Sequence, residues 1–99
     1  MIRDLGKVYF VPMDIIGDKR IKGRFSAGFV YSIINDLADD KGYCYASNED
    51  ISNVCLKSIR TITTALSELN KYNYIDISNG RSKERAIKIA EKITRFNTK

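Results

Sequence analysis

The 99-residue sequence contains no histidine, and this absence bears first on catalysis and metal binding. Histidine is the commonest general base and a frequent metal ligand near neutral pH. The spacing of Cys44 and Cys55 fits neither a redox pair nor a zinc site, and Gly42 and Gly80 stand alone rather than in a phosphate-binding loop. We therefore expect no enzyme activity, no cofactor, no metal and no small-molecule ligand.

Long hydrophobic runs are also missing. No apolar stretch approaches the roughly 18 residues that a membrane span needs, and no apolar segment of the kind found in signal peptides follows Arg3. We expect a cytoplasmic protein with no membrane partner, in which both cysteines are half-buried and reduced. A chain of 99 residues with 43% hydrophobic residues is long enough for one core and too short for two.

Basic residues outnumber acidic ones at both ends of the chain, which carries a net charge of +5. Residues 57–99 hold ten basic and four acidic side chains, whereas residues 26–56 hold one basic and five acidic ones. This distribution indicates a polarised surface, as expected where one face meets a polyanion. Ordinary lysine-rich solubility remains the alternative explanation.

Three helices are predicted in the middle of the chain. Ser26 is a candidate N-cap for a helix from about Ala27 to Asp39, with Gly42 in a left-handed conformation at its end. Ser47 caps a short helix over residues 48–54, and Ser58 caps a third helix that reaches about Tyr72. The side chains predicted to face the core are Phe29, Val30, Ile33, Ile34, Leu37, Ile51, Val54, Ile59, Ile62, Ala65, Leu66 and Leu69.

Strand-like stretches flank these helices. Residues 7–12 suit a short strand or arm, residues 43–45 a short β stretch, and residues 74–78 and 85–89 a hairpin around Asn79-Gly80. The predicted fold class is α+β, with a three-helix core, a C-terminal β-hairpin and a short N-terminal strand. We divide the chain into an arm and basic loop (1–25), a helix and hairpin domain (26–90) and a polar tail (91–99).

The second and third helices, joined by three residues, can form a helix-turn-helix, whose second helix enters the major groove of DNA. At 100° per residue, the apolar stripe of the third helix leaves a small polar face on the opposite side. The candidate DNA contacts on or beside this helix are Lys57, Ser58, Arg60, Thr61, Thr63, Thr64, Ser67 and Lys71. Arg81, Lys83 and Arg85 on or beside the hairpin turn are candidate phosphate or minor-groove contacts.

The stretch from Ser47 to Ile77 resembles the winged helix-turn-helix family of bacterial regulators and of plasmid, phage and primosomal (DnaD-like) replication proteins. The matching positions are Ser47, Ile51, Ser58, Arg60-Thr61-Ile62, Ala65-Leu66, Leu69 and Tyr74-Ile75. The resemblance implies a winged helix that binds double-stranded DNA in replication initiation or transcription regulation. Tyr72-Asn73-Tyr74 departs from the family, which often has glycine there, and predicts Asn73 in the left-handed region.

Two questions stay open at this point. A winged-helix module that binds other proteins, through the same face or through the arm, is the alternative to DNA binding. A homodimer is expected, with Lys7–Phe10 as the pairing segment, because small DNA-binding proteins commonly occupy two half-sites. The basic loop, residues 17–23 with Lys19, Arg20 and Lys22, and the adjoining Arg24 either contact DNA flanks or are solvated.

Overall fold

A computed structural model describes residues 11–79, 85–90 and 96–97 of the chain. Its helices are α1 (Met13–Ile16), α2 (Arg24–Leu37), α3 (Asn48–Cys55) and α4 (Ile59–Lys71). Its strands are β1 (Val11–Pro12), β2 (Tyr43–Cys44), β3 (Ile75–Ser78), β4 (Ala86–Ile89) and β5 (Phe96–Asn97). The α+β winged helix-turn-helix predicted from the sequence is confirmed.

β4 is the central strand of a three-stranded antiparallel sheet. Its Ile87 lies opposite Cys44 of β2 on one side and opposite Ile77 of β3 on the other. β3 and β4 are the strands of the predicted hairpin, whose tip lies outside the described residues. β1 pairs with β5, a strand in the segment predicted to be a polar tail, and residues 7–10 of the predicted arm also lie outside the described part.

One hydrophobic core joins the helices to the sheet. α2 packs across α3 and α4, and β3 packs on α4. The fully buried side chains include Ile15, Ile21, Val30, Ile34, Ile51, Ile62, Leu69 and Ile87. Because Ile15 and Ile21 are among them, the segment before α2 is anchored in the same core as the helix pair. The apolar stripe of α4 therefore packs on this core, and the polar face of the helix remains exposed to solvent.

The structure corrects both ends of the first long helix. α2 begins after Gly23, so Ser26 lies inside the first turn and is not the N-cap. The helix ends at Leu37, because the Asp39 carboxylate accepts hydrogen bonds from the backbone N–H groups of Lys41 and Tyr43 and forms a turn instead. Gly42 has the predicted positive φ, of 87°, within that turn.

Several side chains predicted to be buried are exposed. Val54, Ile59 and Leu37 are 41–46% exposed, because they lie at helix ends that project beyond the core. Phe29 is 40% exposed, since it lies on the side of α2 opposite Ala27, Val30 and Ile34. Tyr45 is 62% exposed as well, and Cys44 and Cys55, expected to be half-buried, are both buried free thiols whose pKa is raised by burial.

A capping box starts α3, and its Ser47 is the N-cap that the sequence predicts. The Ser47 hydroxyl accepts from the backbone N–H of Asp50 at 3.0 Å, and the Asp50 carboxylate accepts from the backbone N–H of Ser47 at 3.1 Å. The Ser58 hydroxyl caps α4 in the same manner, accepting from the N–H of Thr61 at 3.1 Å. These serines fix where each helix of the pair begins.

Ser47→Ala is expected to lower the free energy of unfolding by about 1 kcal/mol, because it leaves a backbone donor of α3 without its partner. Urea unfolding followed by far-UV circular dichroism measures the difference. Ser67→Ala is the matched control, since Ser67 is exposed in α4 and alanine favours a helix. Equal unfolding midpoints for the two variants would contradict the capping role.

Candidate nucleic-acid interface

The turn between α3 and α4 is short and tightly held. α3 ends at Cys55, and its C-cap residue Leu56 adopts a left-handed conformation with φ of 57°. The backbone N–H of Lys57 then donates to the carbonyl of Ser52 at 3.2 Å, and the Ser52 hydroxyl donates back to the carbonyl of Lys57. These bonds fix the direction in which α4 leaves the turn.

The polar face of α4 is open along its whole length. Ile62, Ala65, Leu66 and Leu69 are buried, as the helical spacing predicts. On the opposite side the structure leaves four side chains exposed, namely Arg60, Thr64, Ser67 and Lys71. We call this set the α4 face. It presents two cations and two small hydroxyl groups with no bulky apolar side chain, so a groove surface can approach the helix backbone closely.

The N-terminus of α4 is suited to an anion. Its first turn contains no acidic residue, in contrast to α3, whose first turn holds Glu49 and Asp50. Lys57 and Ser58 are both exposed there. Helix N-termini favour negative charge through their free backbone N–H groups and the helix dipole. Of the two helix N-termini in the pair, that of α4 is therefore the more favourable position for a phosphate.

Two threonines flank the α4 face and differ in their contacts. The Thr63 hydroxyl donates to the Ile59 carbonyl at 2.9 Å and lies 3.4 Å from Nδ2 of Asn48, which donates to it. Thr61 lies on the other flank, where its hydroxyl is 3.0 Å from that of Ser58. Thr63 is thus tied to α3, and Thr61 to the cap of its own helix.

Arg85, at the base of the hairpin, contacts the start of α3. Its Nη1 donates to Oδ1 of Asn48 at 2.6 Å, and its Nη2 donates to the carbonyl of Ala46 at 2.5 Å. Asn48 therefore bridges the hairpin and Thr63 of α4 through its two amide atoms. Sequence reasoning placed Arg85 among the DNA contacts and missed Asn48, which carries no distinguishing pattern. Arg81 and Lys83 lie outside the described residues.

A second cluster ties the basic loop, residues 17–23, to the end of α4. The Asp18 carboxylate accepts from the Arg20 guanidinium at 2.6 and 2.9 Å and from the Tyr74 hydroxyl at 2.8 Å. The Arg20 guanidinium also lies 4.3 Å from the centre of the Tyr72 ring. Tyr72 and Tyr74, the departure from the family pattern, thus hold the loop, while Asn73 between them has the predicted positive φ, of 67°.

The hydrogen bonds from Arg20 hold the pKa of the Asp18 carboxyl well below its usual range, so Asp18 stabilises the fold in its ionised form. That contribution is complete above the unfolded-state pKa of about 4 and is lost as the pH falls further. We expect Asp18→Asn to be less stable than the parent at pH 7 and the gap to narrow towards pH 2. Thermal unfolding at both pH values checks this, and a gap that widens with acid would contradict it.

The basic loop and α4 enclose a groove of about 320 Å³. Lys22, Gly23 and Ser26 line one side, and Arg60 and Thr64 are among the residues of α4 on the other. Glu68 also lines the groove, and its Oε1 is buried without a hydrogen-bond partner among the residues that the structure describes. The loop therefore borders the α4 face.

Among the described residues, no helix is both long enough and apolar enough to pass through a membrane. A family model described as a helix-turn-helix domain matches residues 26–75, half of the chain, from the first turn of α2 to the start of β3. No curated protein matches the chain. A helix-turn-helix domain indicates DNA binding as the general function, and the matched range contains α3, α4 and all but the first two residues of α2.

Proposed function

We propose that this chain, which belongs to the helix-turn-helix domain family, is a sequence-specific double-stranded DNA-binding module with no catalytic step of its own. The observation that carries the proposal is the α4 face. Its cations and small hydroxyl groups are exposed on a helix whose apolar stripe is buried in the core and whose N-terminus is capped by Ser58. A surface helix with only a structural role would favour Glu, Lys or Ala over four Ser and Thr residues.

In this proposal α4 lies in the major groove with its N-terminal half towards the bases. Arg60 donates both arms of its guanidinium to guanine O6 and N7, and Thr61, Thr63, Thr64 and Ser67 bring hydroxyl groups to base edges or phosphates. Lys57 and Ser58 bind a phosphate at the helix N-terminus, where backbone N–H groups add to the attraction. Lys71 contacts the backbone at the far end of the helix.

The hairpin is the second contact in the proposal. Arg81 and Lys83 bind phosphate or the minor groove beside α4. Arg85 contributes by holding the base of the hairpin against Asn48 and Ala46, the contacts that the structure gives it. The two parts of the interface are thus coupled through one side chain of α3.

The biological setting is proposed from the resemblance in the sequence. The stretch from Ser47 to Ile77 resembles winged helix-turn-helix proteins of plasmid, phage and primosomal replication, so we propose a cytoplasmic role in plasmid or phage replication initiation, with transcription regulation as the second setting. Two copies of the chain on two half-sites would double the contacts.

Selection from a random pool of duplexes, followed by titration of the chosen duplex at several salt concentrations, tests the proposal. We expect an enriched sequence and an affinity that falls steeply with salt, because each phosphate contact releases counterions. Binding without sequence preference would contradict base reading by α4. An absence of duplex binding at low salt, about 20–50 mM, would contradict DNA binding itself.

One observation favours a protein-interaction function instead. Val54, Leu56 and Ile59 form an apolar patch around the turn, with exposed fractions of 46%, 67% and 46%. Leu56 is also in the left-handed conformation, which is unfavourable for a bulky side chain. A stable complex with another protein, together with no duplex binding at low salt, would favour this second function.

A further inference from the structure

The basic loop lies on the flank of α4 opposite the hairpin. At 100° per residue, Thr61 and Glu68 fall on one side of the α4 face and Thr63 on the other. Thr63 contacts Asn48, which holds the hairpin through Arg85. Thr61 and Glu68 line the groove shared with Lys22. The α4 face is therefore bordered by a protein segment on each flank, and the segments come from opposite ends of the described chain.

The basic loop is an anchored part of the fold. Its Ile21 is 0% exposed in the core, and the backbone N–H of Ile21 donates to the Asp18 carbonyl at 3.1 Å. Asp18 is held by Tyr74, three residues beyond the end of α4. Anchoring at both points means that the loop has already lost much of the conformational freedom that a solvated loop would lose on binding.

The loop also carries positive charge that the fold does not use. Arg20 is neutralised by Asp18 and packed on Tyr72. Lys19 and Lys22 are exposed, and the structure gives neither of them an ion-pair or hydrogen-bond partner among the residues that it describes. Lys22 and Arg60 line the same groove, where they outnumber the single carboxylate of Glu68. Lys22 is thus held beside the surface proposed to meet DNA, and Lys19 precedes it by three residues in the same anchored loop.

We propose that the basic loop is a second phosphate-contacting segment, in which Lys19 and Lys22 bind the DNA backbone on the flank of α4 away from the hairpin. This inference rests on the proposed function of the α4 face. Arg20 acts as a positioning residue that holds the loop through Asp18 and Tyr72. Since phosphates are the ligands, these contacts strengthen binding to every duplex and do not select among sequences.

The test compares two double variants with the same change in net charge. Lys19→Ala with Lys22→Ala removes the loop cations. The control, Lys41→Ala with Lys88→Ala, removes two cations near Asp39 and Asp40. These lie beyond the C-terminal end of α2, whereas the basic loop precedes its N-terminal end. The 14 residues of α2 place its two ends about 20 Å apart. Fluorescence anisotropy with a labelled duplex, at salt concentrations from roughly 50 to 200 mM, gives the affinity and its salt dependence.

The loop variant is expected to bind about tenfold or more weakly and to lose about two units of slope in a plot of log affinity against log salt. The control pair should change the affinity only a few-fold, and Lys19→Arg with Lys22→Arg should restore the parent slope. Equal results for the loop and control variants, with a parent that binds, would overturn this inference alone. A parent that binds no duplex would overturn the proposed function as well.

Discussion

Arg60→Ala is expected to weaken binding of the selected duplex by about 1–3 kcal/mol and to relax base preference at one position. Arg60 is exposed in the first turn of α4, where recognition helices meet base edges. Its two-armed guanidinium can satisfy both acceptors of a guanine, which alanine cannot do. Anisotropy with the selected duplex and with single-base variants of it measures both effects.

Two further variants separate base reading from charge. Arg60→Lys keeps the charge but loses the planar fork, so it should restore the salt dependence without the base preference. Lys71→Ala at the other end of α4 should weaken binding to all duplexes by the same factor. Unchanged affinity in Arg60→Ala would contradict the assignment of the α4 face as the base-reading surface.

Arg85→Ala is expected to lower the free energy of unfolding by about 1.5–3 kcal/mol, because charge-assisted hydrogen bonds of half-buried groups contribute about that much. The change removes the donors to Asn48 Oδ1 and to the Ala46 carbonyl. Urea unfolding measures the loss. Duplex binding should also weaken, since the hairpin loses its attachment to the helix pair.

Arg85→Lys is the informative control. Lysine keeps the positive charge but cannot serve both acceptors in the same plane, so we expect it to recover little of the lost stability. Asn48→Ala should lower the free energy of unfolding by a similar amount. In the double variant the two losses should not add fully, because Asn48 and Arg85 share one contact. Parent-like stability of Arg85→Ala together with a large loss of binding would show that Arg85 contacts DNA directly.

Local features were predictable because their causes are local. A serine before an amphipathic stretch caps the helix at Ser47 and Ser58, and the 3.6-residue period gives the buried stripe from Ile62 to Leu69. The same reasoning misplaced the start of α2, because Ser26 has the preferred capping residue type while the chain turns at Gly23. Period alone also could not show that Val54 and Ile59 lie beyond the end of the core.

Contacts between distant parts of the chain could not be predicted from a single sequence. The hydrogen bond from Tyr74 to Asp18 joins residues 56 positions apart, and that from Arg85 to Asn48 spans 37. Such pairs depend on how the helices pack, which composition and period do not determine. In the sequence Tyr72-Asn73-Tyr74 is only a departure from a family pattern, whereas in the fold Tyr72 and Tyr74 pack against the basic loop.

The central claim is that the α4 face meets duplex DNA, and amide chemical-shift mapping of the ¹⁵N-labelled protein with the selected duplex tests it most directly. The account predicts that the largest changes fall at residues 57–67, with smaller ones in the basic loop and little change at residues 35–41. Largest changes at residues 35–41, or on α2 alone, with residues 57–67 unaffected, would contradict it.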